Sequence, residues 1–150
     1  MKKLITEVCK LPSGSLIPQM YCLTANGELD QGITHTLLDL ISELDEKLAS
    51  ELEMLVSAAE RGTYKPQNPD LPDWGINDKN VWLVSPIANP PCLSISNELI
   101  PDFSCDDGEP QQFTRQQFRQ VLAFWMEFQN IIRELGISNM AGYRYESQFE

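Results

Sequence analysis

Residues 34–61, THTLLDLISELDEKLASELEMLVSAAER, are closed by Gly62, and the reading of this stretch sets the terms for the whole chain. Leu37, Ile41, Leu44, Leu48, Leu52, Leu55 and Ala59 recur three or four residues apart, and Leu40 and Val56 widen the stripe. That spacing lines one face of an α-helix and fits no strand, whose side chains repeat every second residue. The expectation is one long helix over 34–61, about 40 Å from end to end at 1.5 Å per residue. Asp30 and Thr34 are its candidate N-caps, and Arg61 and Gly62 suit its carbonyl end. Asp39, Glu46, Glu53 and Glu60 follow one another at intervals of seven along the face opposite the stripe, where their replacement would leave packing undisturbed. Glu43 borders that ridge and Glu51 flanks the apolar stripe.

Working outward, residues 1–33 read as β-rich. The run KLITEVCK (3–10) alternates loosely and carries β-branched side chains; Pro12-Ser13-Gly14 supplies a turn, and SLIPQMYCLT follows as a second extended run. Pro18 places that second run at a sheet edge or start, because proline cannot donate to a ladder. Asn26-Gly27 is a hairpin signal that predicts pairing of 21–24 with 28–30. Residues 63–80, TYKPQNPDLPDWGINDKN, are rich in Pro, Asn and Asp and read as a long loop. Trp74 within it is either a plug over the core or an exposed anchor for a partner.

Strands are expected over 81–96. VWLVS (81–85) is apolar on both faces, as a central strand would be, and after a proline-rich break CLSIS (92–96) alternates with Leu93 and Ile95 inward. PDFSCDDGEP (101–110) is an acidic loop. A last helix over 114–135 is announced by a capping box, Thr114 with Gln117, and by a hydrophobic staple, Phe113 with Phe118. Its stripe is Phe118, Val121, Leu122, Trp125, Phe128, Ile132 and Leu135, widened by Phe124 and Ile131, so more than one neighbour must cover it. Gly136 ends it, with Ile137 placed for a Schellman contact to Ile132. The tail, 138–150, alternates in Tyr143, Tyr145 and Phe149 and is either an added strand or a mobile end. The sum is a single α+β domain: a small, mostly antiparallel sheet packed against two long amphipathic helices.

The chain of 150 residues carries 22 acids against 11 Lys and Arg, for a net charge of −11. Such a balance disfavours nucleic acid and anionic membrane as direct partners and favours a basic protein surface. Lys2 and Lys3 are followed by LITEV, which meets Glu7 too soon for the apolar core of a secretory signal. No stretch approaches a membrane span. The cysteines Cys9, Cys22, Cys92 and Cys105 form no C-x-x-C pair and read as reduced thiols, so the expected compartment is the cytoplasm.

Candidate chemistry is sparse. His35 is the only histidine, so it has no histidine partner for a metal site, and any Ser–His or Cys–His pair would have to use it. Asp102, Asp106, Asp107, Gly108 and Glu109 superficially suggest a calcium loop, but counting back from Gly108 the ligand positions fall on Phe103, Cys105 and Asp107. No P-loop, G-x-G-x-x-G or nucleophile elbow occurs. No catalytic residue, cofactor or metal is therefore assigned, and a small carboxylate-dependent enzyme stays only as a residual alternative.

The acids are unevenly spread: nine lie between 28 and 60 against Lys47, and eight between 66 and 110 against Lys79. Arg115 and Arg119 oppose the dipole of the last helix, and Asp106, Asp107 and Glu109 are their nearest candidate counter-charges in sequence. The functional expectation is a non-enzymatic acidic binding protein that inhibits or neutralises a basic partner. Immunity proteins and other small inhibitors of nuclease-type toxins share this physical profile. The expected partner surface is Asp39, Glu43, Glu46, Glu53 and Glu60 with Trp74. Alternatives are a secretion-type chaperone, which would be a stable dimer, and a DNA mimic. A mimic must approach one charge per ~1.7 Å, against one per about 10 Å along a seven-residue ridge.

Overall fold

The structure is a computed structural model that describes residues 1–66, 68, 70–83 and 92–150. β1 (Lys2–Lys10) and β2 (Leu16–Leu23) pair antiparallel, from Lys3 opposite Leu23 to Lys10 opposite Leu16. The tail supplies a third strand, β7 (Arg144–Phe149), antiparallel to the other edge of β1, with Lys2 opposite Phe149 and Glu7 opposite Arg144. The order β2-β1-β7 leaves β2 at an edge, and that is where Pro18 sits without breaking an interior ladder. Leu4 and Val8 join the core from β1, and Phe149 joins it from β7. The hairpin expected at Asn26-Gly27 stops at one bridge, Leu23 to Leu29. Asp30 ends it, because its Oδ1 accepts from the Ile33 N–H at 3.1 Å and starts a helix instead.

The helix expected over 34–61 is two helices. The first starts earlier and runs through α1 (Gln31–Ile33), a π-helical turn (Thr34–Leu38) and α2 (Asp39–Ser42). The second is α3 (Glu46–Glu60). Between them Asp45 turns to an extended backbone (φ −88°, ψ 179°) and its side chain accepts from the Leu48 N–H at 2.8 Å. An aspartate that caps so well offers the backbone an alternative to continuing the helix, and hydrophobic periodicity does not report it. The two pieces play different parts. Leu37, Leu38, Leu40 and Ile41 are fully buried, as is Thr36, and Thr34 is nearly so. The first helix lies in the core, touching β2 on one side and β5 on the other, with His35, Asp39 and Glu43 on its polar side. In α3, Ala49, Leu52, Val56 and Ala59 are buried and the rest of the circumference is partly or fully exposed, so it is amphipathic. The π-turn has a visible cause: Asn97 of β5, itself buried, donates from Nδ2 to the His35 carbonyl at 2.8 Å.

A second sheet is built from β3 (Trp74–Ile76), β4 (Lys79–Trp82), β5 (Cys92–Asn97) and β6 (Gln111–Thr114), antiparallel in the order β3-β4-β5-β6. This corrects the reading of 63–80 as loop throughout. Residues 74–76 and 79–82 form a hairpin whose tip takes Asn77 to φ 50°, a conformation asparagine tolerates better than most residues. β4 and β5 are interior, and Val81, Leu93 and Ile95 are fully buried, as the alternation predicts. The proline-rich break at 86–91 and the end of the VWLVS run lie outside the described residues. In the acidic loop a 3-10 turn (Pro101–Phe103) folds back so closely that a Cβ on Gly108 would strike the backbone of Asp102 and Pro101.

The last helix, α4 (Arg115–Leu135), starts where the sequence puts it. Thr114 Oγ1 accepts from the Gln117 N–H at 3.0 Å, and Gln117 Oε1 accepts from the Thr114 N–H at 2.9 Å. Phe113 and Phe118 are both buried. Replacing Thr114 with Ala should lower the unfolding free energy by about 1 kcal/mol, the usual worth of such a cap. Urea titration reads this directly, and an unchanged midpoint would mean the capping box is dispensable. Gly136 closes α4 at φ 78° and ψ 131°, with its N–H on the Ile132 carbonyl at 2.8 Å. α4 packs on α2, α3, β1 and β7. Among the described residues the architecture is thus α+β with two antiparallel sheets and three helices, against the one sheet and two helices expected. Among the described residues no helix is long and apolar enough to cross a membrane.

Candidate acidic partner-binding face

The sequence-predicted partner residues separate into two groups and one outlier. Glu46, Glu53 and Glu60 stand on α3 where it runs beside α4. Arg133 Nη1 is 2.6 Å from Glu46 Oε1; Arg119 Nε is 3.2 Å from Glu53 Oε1, and its Nη1 is 2.7 Å from Glu60 Oε2. The ridge therefore borders α4 instead of facing away from all packing. Arg119 finds its counter-charges there, not in Asp106, Asp107 or Glu109. The hydrogen bond from Arg119 holds the Glu60 carboxyl below the usual glutamate range, with smaller help from the Arg115 and Arg61 charges. Between the two ion-pair clusters lies a shallow groove floored by Ala49, Leu122 and Met126. Sequence carried one usable sign of this arrangement. Glu46 and Glu60 are fourteen residues apart, as are Arg119 and Arg133, so the two helices lying side by side can match both pairs at once.

Trp74 is the outlier. It lies half-buried on β3 against the core, and its Nε1 donates to Glu51 Oε1 at 3.2 Å.

Asp39 and Glu43 belong elsewhere, at the end of the first helix that faces the second sheet. Lys79 of β4, itself buried, places its Nζ 2.9 Å from Glu43 Oε1. Asp39 Oδ2 is 3.8 Å from His35 Nδ1, and the His35 ring centroid lies 6.5 Å from that of Phe103. Partial burial pushes the Asp39 carboxyl above its ordinary value, against the opposing charges of Lys79 and His35. Next to this cluster the Glu98 N–H bonds the Asp78 carbonyl at 2.9 Å. The Glu98 carboxylate accepts from Ser96 Oγ at 3.0 Å and from the Cys105 N–H at 3.2 Å. Some burial raises the Glu98 carboxyl, but the hydrogen bonds from Cys105, Ser96 and Asn80 prevail and hold it below its usual range. The loop folded over Gly108 then adds Asp102, Asp106, Asp107 and Glu109.

Asp39 and Glu43 thus stand by His35 and Lys79, and the acidic turn and loop from Glu98 to Glu109 join them through Asp78, which Glu98 bonds, and through Phe103, which faces the His35 ring. Lys79 is already held by Glu43. Among the described residues the carboxylates of Asp78, Asp102, Asp106, Asp107 and Glu109 have no ion pair. Leu99, 69% exposed, stands in the same turn as Glu98 and gives this face an apolar point.

The chain has no significant match among family models, curated proteins or solved structures.

Among the described residues no group of three or more His, Cys, Asp or Glu stands so as to hold a metal ion. Cys9, Cys22 and Cys105 are free thiols, and burial pushes the Cys22 thiol up to about 11. What the acidic end can do is attract positive charge, because exposed carboxylates without counter-ions create a field that reaches into solvent. The sequence reading missed it as a unit. Its parts come from 35–43, 78–79 and 98–109, and only the packing of the first helix against β5 joins them.

Proposed function

We propose that the protein is a small acidic binding protein that works in the cytoplasm by occupying, and so neutralising, a basic surface on another protein. The observation that carries this reading is the placing of the uncompensated charge. Glu46, Glu53 and Glu60 of α3 are matched by Arg119 and Arg133, whereas the acids around Asp102–Glu109 face solvent beside the exposed Leu99. A basic partner such as a nuclease-type toxin would be steered to that end by charge and seated against Leu99 and Phe103. Aligned fields of this kind act chiefly on association rate.

Two charge variants test the assignment. In the first, Asp102, Asp106 and Asp107 become Asn and Glu109 becomes Gln; in the second, Glu46, Glu53 and Glu60 become Gln. Partners captured from cytosol at low salt should be lost at high salt, since exposed charges are screened beyond about 10 Å at 0.1 M. The loop variant should bind the captured partner about tenfold more slowly, with a much weaker dependence on salt. The α3 variant should keep most of the rate and instead lose some stability, read as a modestly lower urea midpoint, because exposed ion pairs contribute little each. Equal rates and equal salt dependence for wild type and the loop variant would remove the acidic end from function. A slow α3 variant would restore the ridge as the partner surface.

A further inference from the structure

A cleft of about 200 Å³ opens between α4 and the β1–β7 pair, away from the acidic end. Phe124, Phe128 and Ile131 of α4 and Tyr145 of β7 form its walls, and Thr6 of β1 is its most deeply buried residue. Thr6 is fully buried, and its hydroxyl has no hydrogen-bond partner among the described residues. On the same face of β1 its neighbours Leu4 and Val8 are apolar. A valine there would fill the same space with no polar atom to satisfy, so an unpaired hydroxyl at the bottom of an aromatic slot calls for an explanation.

Glu146 pairs with Ile5, so its carboxylate turns to the other face of the sheet, where Lys3 at 3.8 Å and Arg144 at 3.2 Å engage it. Glu127 lines the cleft, is exposed, and has no ion pair among the described residues. The size is informative as well. An apolar cavity of about 150 Å³ takes up benzene, so this one accepts a single ring with a short chain and nothing much larger.

We propose that this cleft binds a small monocyclic arylalkylamine that carries a hydroxyl on its ring. The ring lies between Phe124, Phe128 and Tyr145, where the aromatic faces also favour a nearby cation. The ring hydroxyl meets Thr6 Oγ1, and the ammonium at the other end of the ligand meets the Glu127 carboxylate at the mouth. Each contact answers a group that the protein leaves unserved.

Tyramine is the probe, with 2-phenylethylamine lacking the hydroxyl and 4-ethylphenol lacking the amine. Affinity is read by calorimetry on the full chain, and position by backbone amide shifts. Tyramine should bind saturably, shift β1, β7 and the middle of α4, and bind about tenfold more tightly than either comparator. Glu127→Gln should bring tyramine down to the affinity of 4-ethylphenol, and Thr6→Val should bring it down to that of 2-phenylethylamine. No saturable binding, or shifts elsewhere, overturns the proposal. Equal affinity for the three probes also overturns it, since the cleft is then only an apolar slot. Thr6→Val without effect on tyramine does the same, because a water then serves the hydroxyl. Should Thr6→Val fail to fold, tyramine against 2-phenylethylamine on the wild-type protein reads the same contact.

Discussion

Replacing Trp125 with Ala is expected to remove about 3–5 kcal/mol of stability, the usual result of truncating a large buried aromatic. Trp125 is 3% exposed on the inner face of α4, its ring centroid 5.8 Å from that of Phe128, which in turn stands 6.3 Å from Tyr145. The loss has two parts. One is the transfer energy of the ring, and the other is the cavity left in a core that relaxes only in part. Against a typical total of 5–15 kcal/mol the variant would be barely folded or unfolded at 37 °C. Denaturant titration of the variant and of Trp125→Phe measures the effect, and the phenylalanine variant should recover a large share. A Trp125→Ala protein as stable as wild type would show that α4 does not close the core.

Lys79 is expected to give the second large effect. Its ammonium is buried against Glu43, whose other oxygen, Oε2, is buried and has no hydrogen-bond partner among the described residues. Removing one member of a buried pair strands the other, which is far more damaging than replacing both with apolar residues. Lys79→Met should therefore cost about 3 kcal/mol, the low end of the range for buried pairs, because Glu43 retains some solvent contact. The double variant Lys79→Met with Glu43→Leu should recover most of that loss. Lys79 is also the leading charge that opposes burial at Asp39, so in the single variant the Asp39 carboxyl should titrate higher still. A carboxyl whose folded value is raised contributes stability that is present at low pH and lost as pH rises through that value. The defect of Lys79→Met should accordingly shrink on acidification through the carboxylate range. Carbon-detected titration of Asp39 and stability against pH check both statements. A single variant as stable as wild type, or no less stable than the double, would show that the pair contributes little.

These two residues also mark what was and was not legible in the sequence. Trp125 could be placed from periodicity alone, because a helix stripe, a capping box and a staple are all local in sequence. The same holds for Pro18 at an edge and for Leu93 and Ile95 facing inward. Lys79 was legible only as the lone base in an acidic stretch. Its burial depends on a hairpin that three prolines at 66, 69 and 72 masked, and on a glutamate thirty-six positions away. Asp45 shows a different limit. The signal for a break was present, a capping residue between two apolar runs, but the period on either side stays nearly in phase and reads as continuous. Of the candidate site, the residue types were visible and their grouping was not. Seven-residue spacing joined Asp39 to Glu46 on paper, whereas the kink at Asp45 sends the one toward Lys79 and the other toward Arg133.

The pairing of β1 with β7 has a consequence in time as well as in space. β1 meets β2 across a short turn, so that hairpin can form within microseconds. β7 reaches the other edge of β1 only after nearly the whole chain is gathered, since Lys2 faces Phe149. The closure entropy of such a long loop exceeds that of the hairpin by about 3 kcal/mol, which makes the third strand a late arrival. Until it docks, β1 shows neighbouring chains an open edge that carries Leu4 and Ile5, both fully buried in the finished fold. Refolding yield should thus fall with protein concentration more steeply than the modest size of the chain suggests, and truncation before Arg144 should leave a sheet that recruits copies of itself.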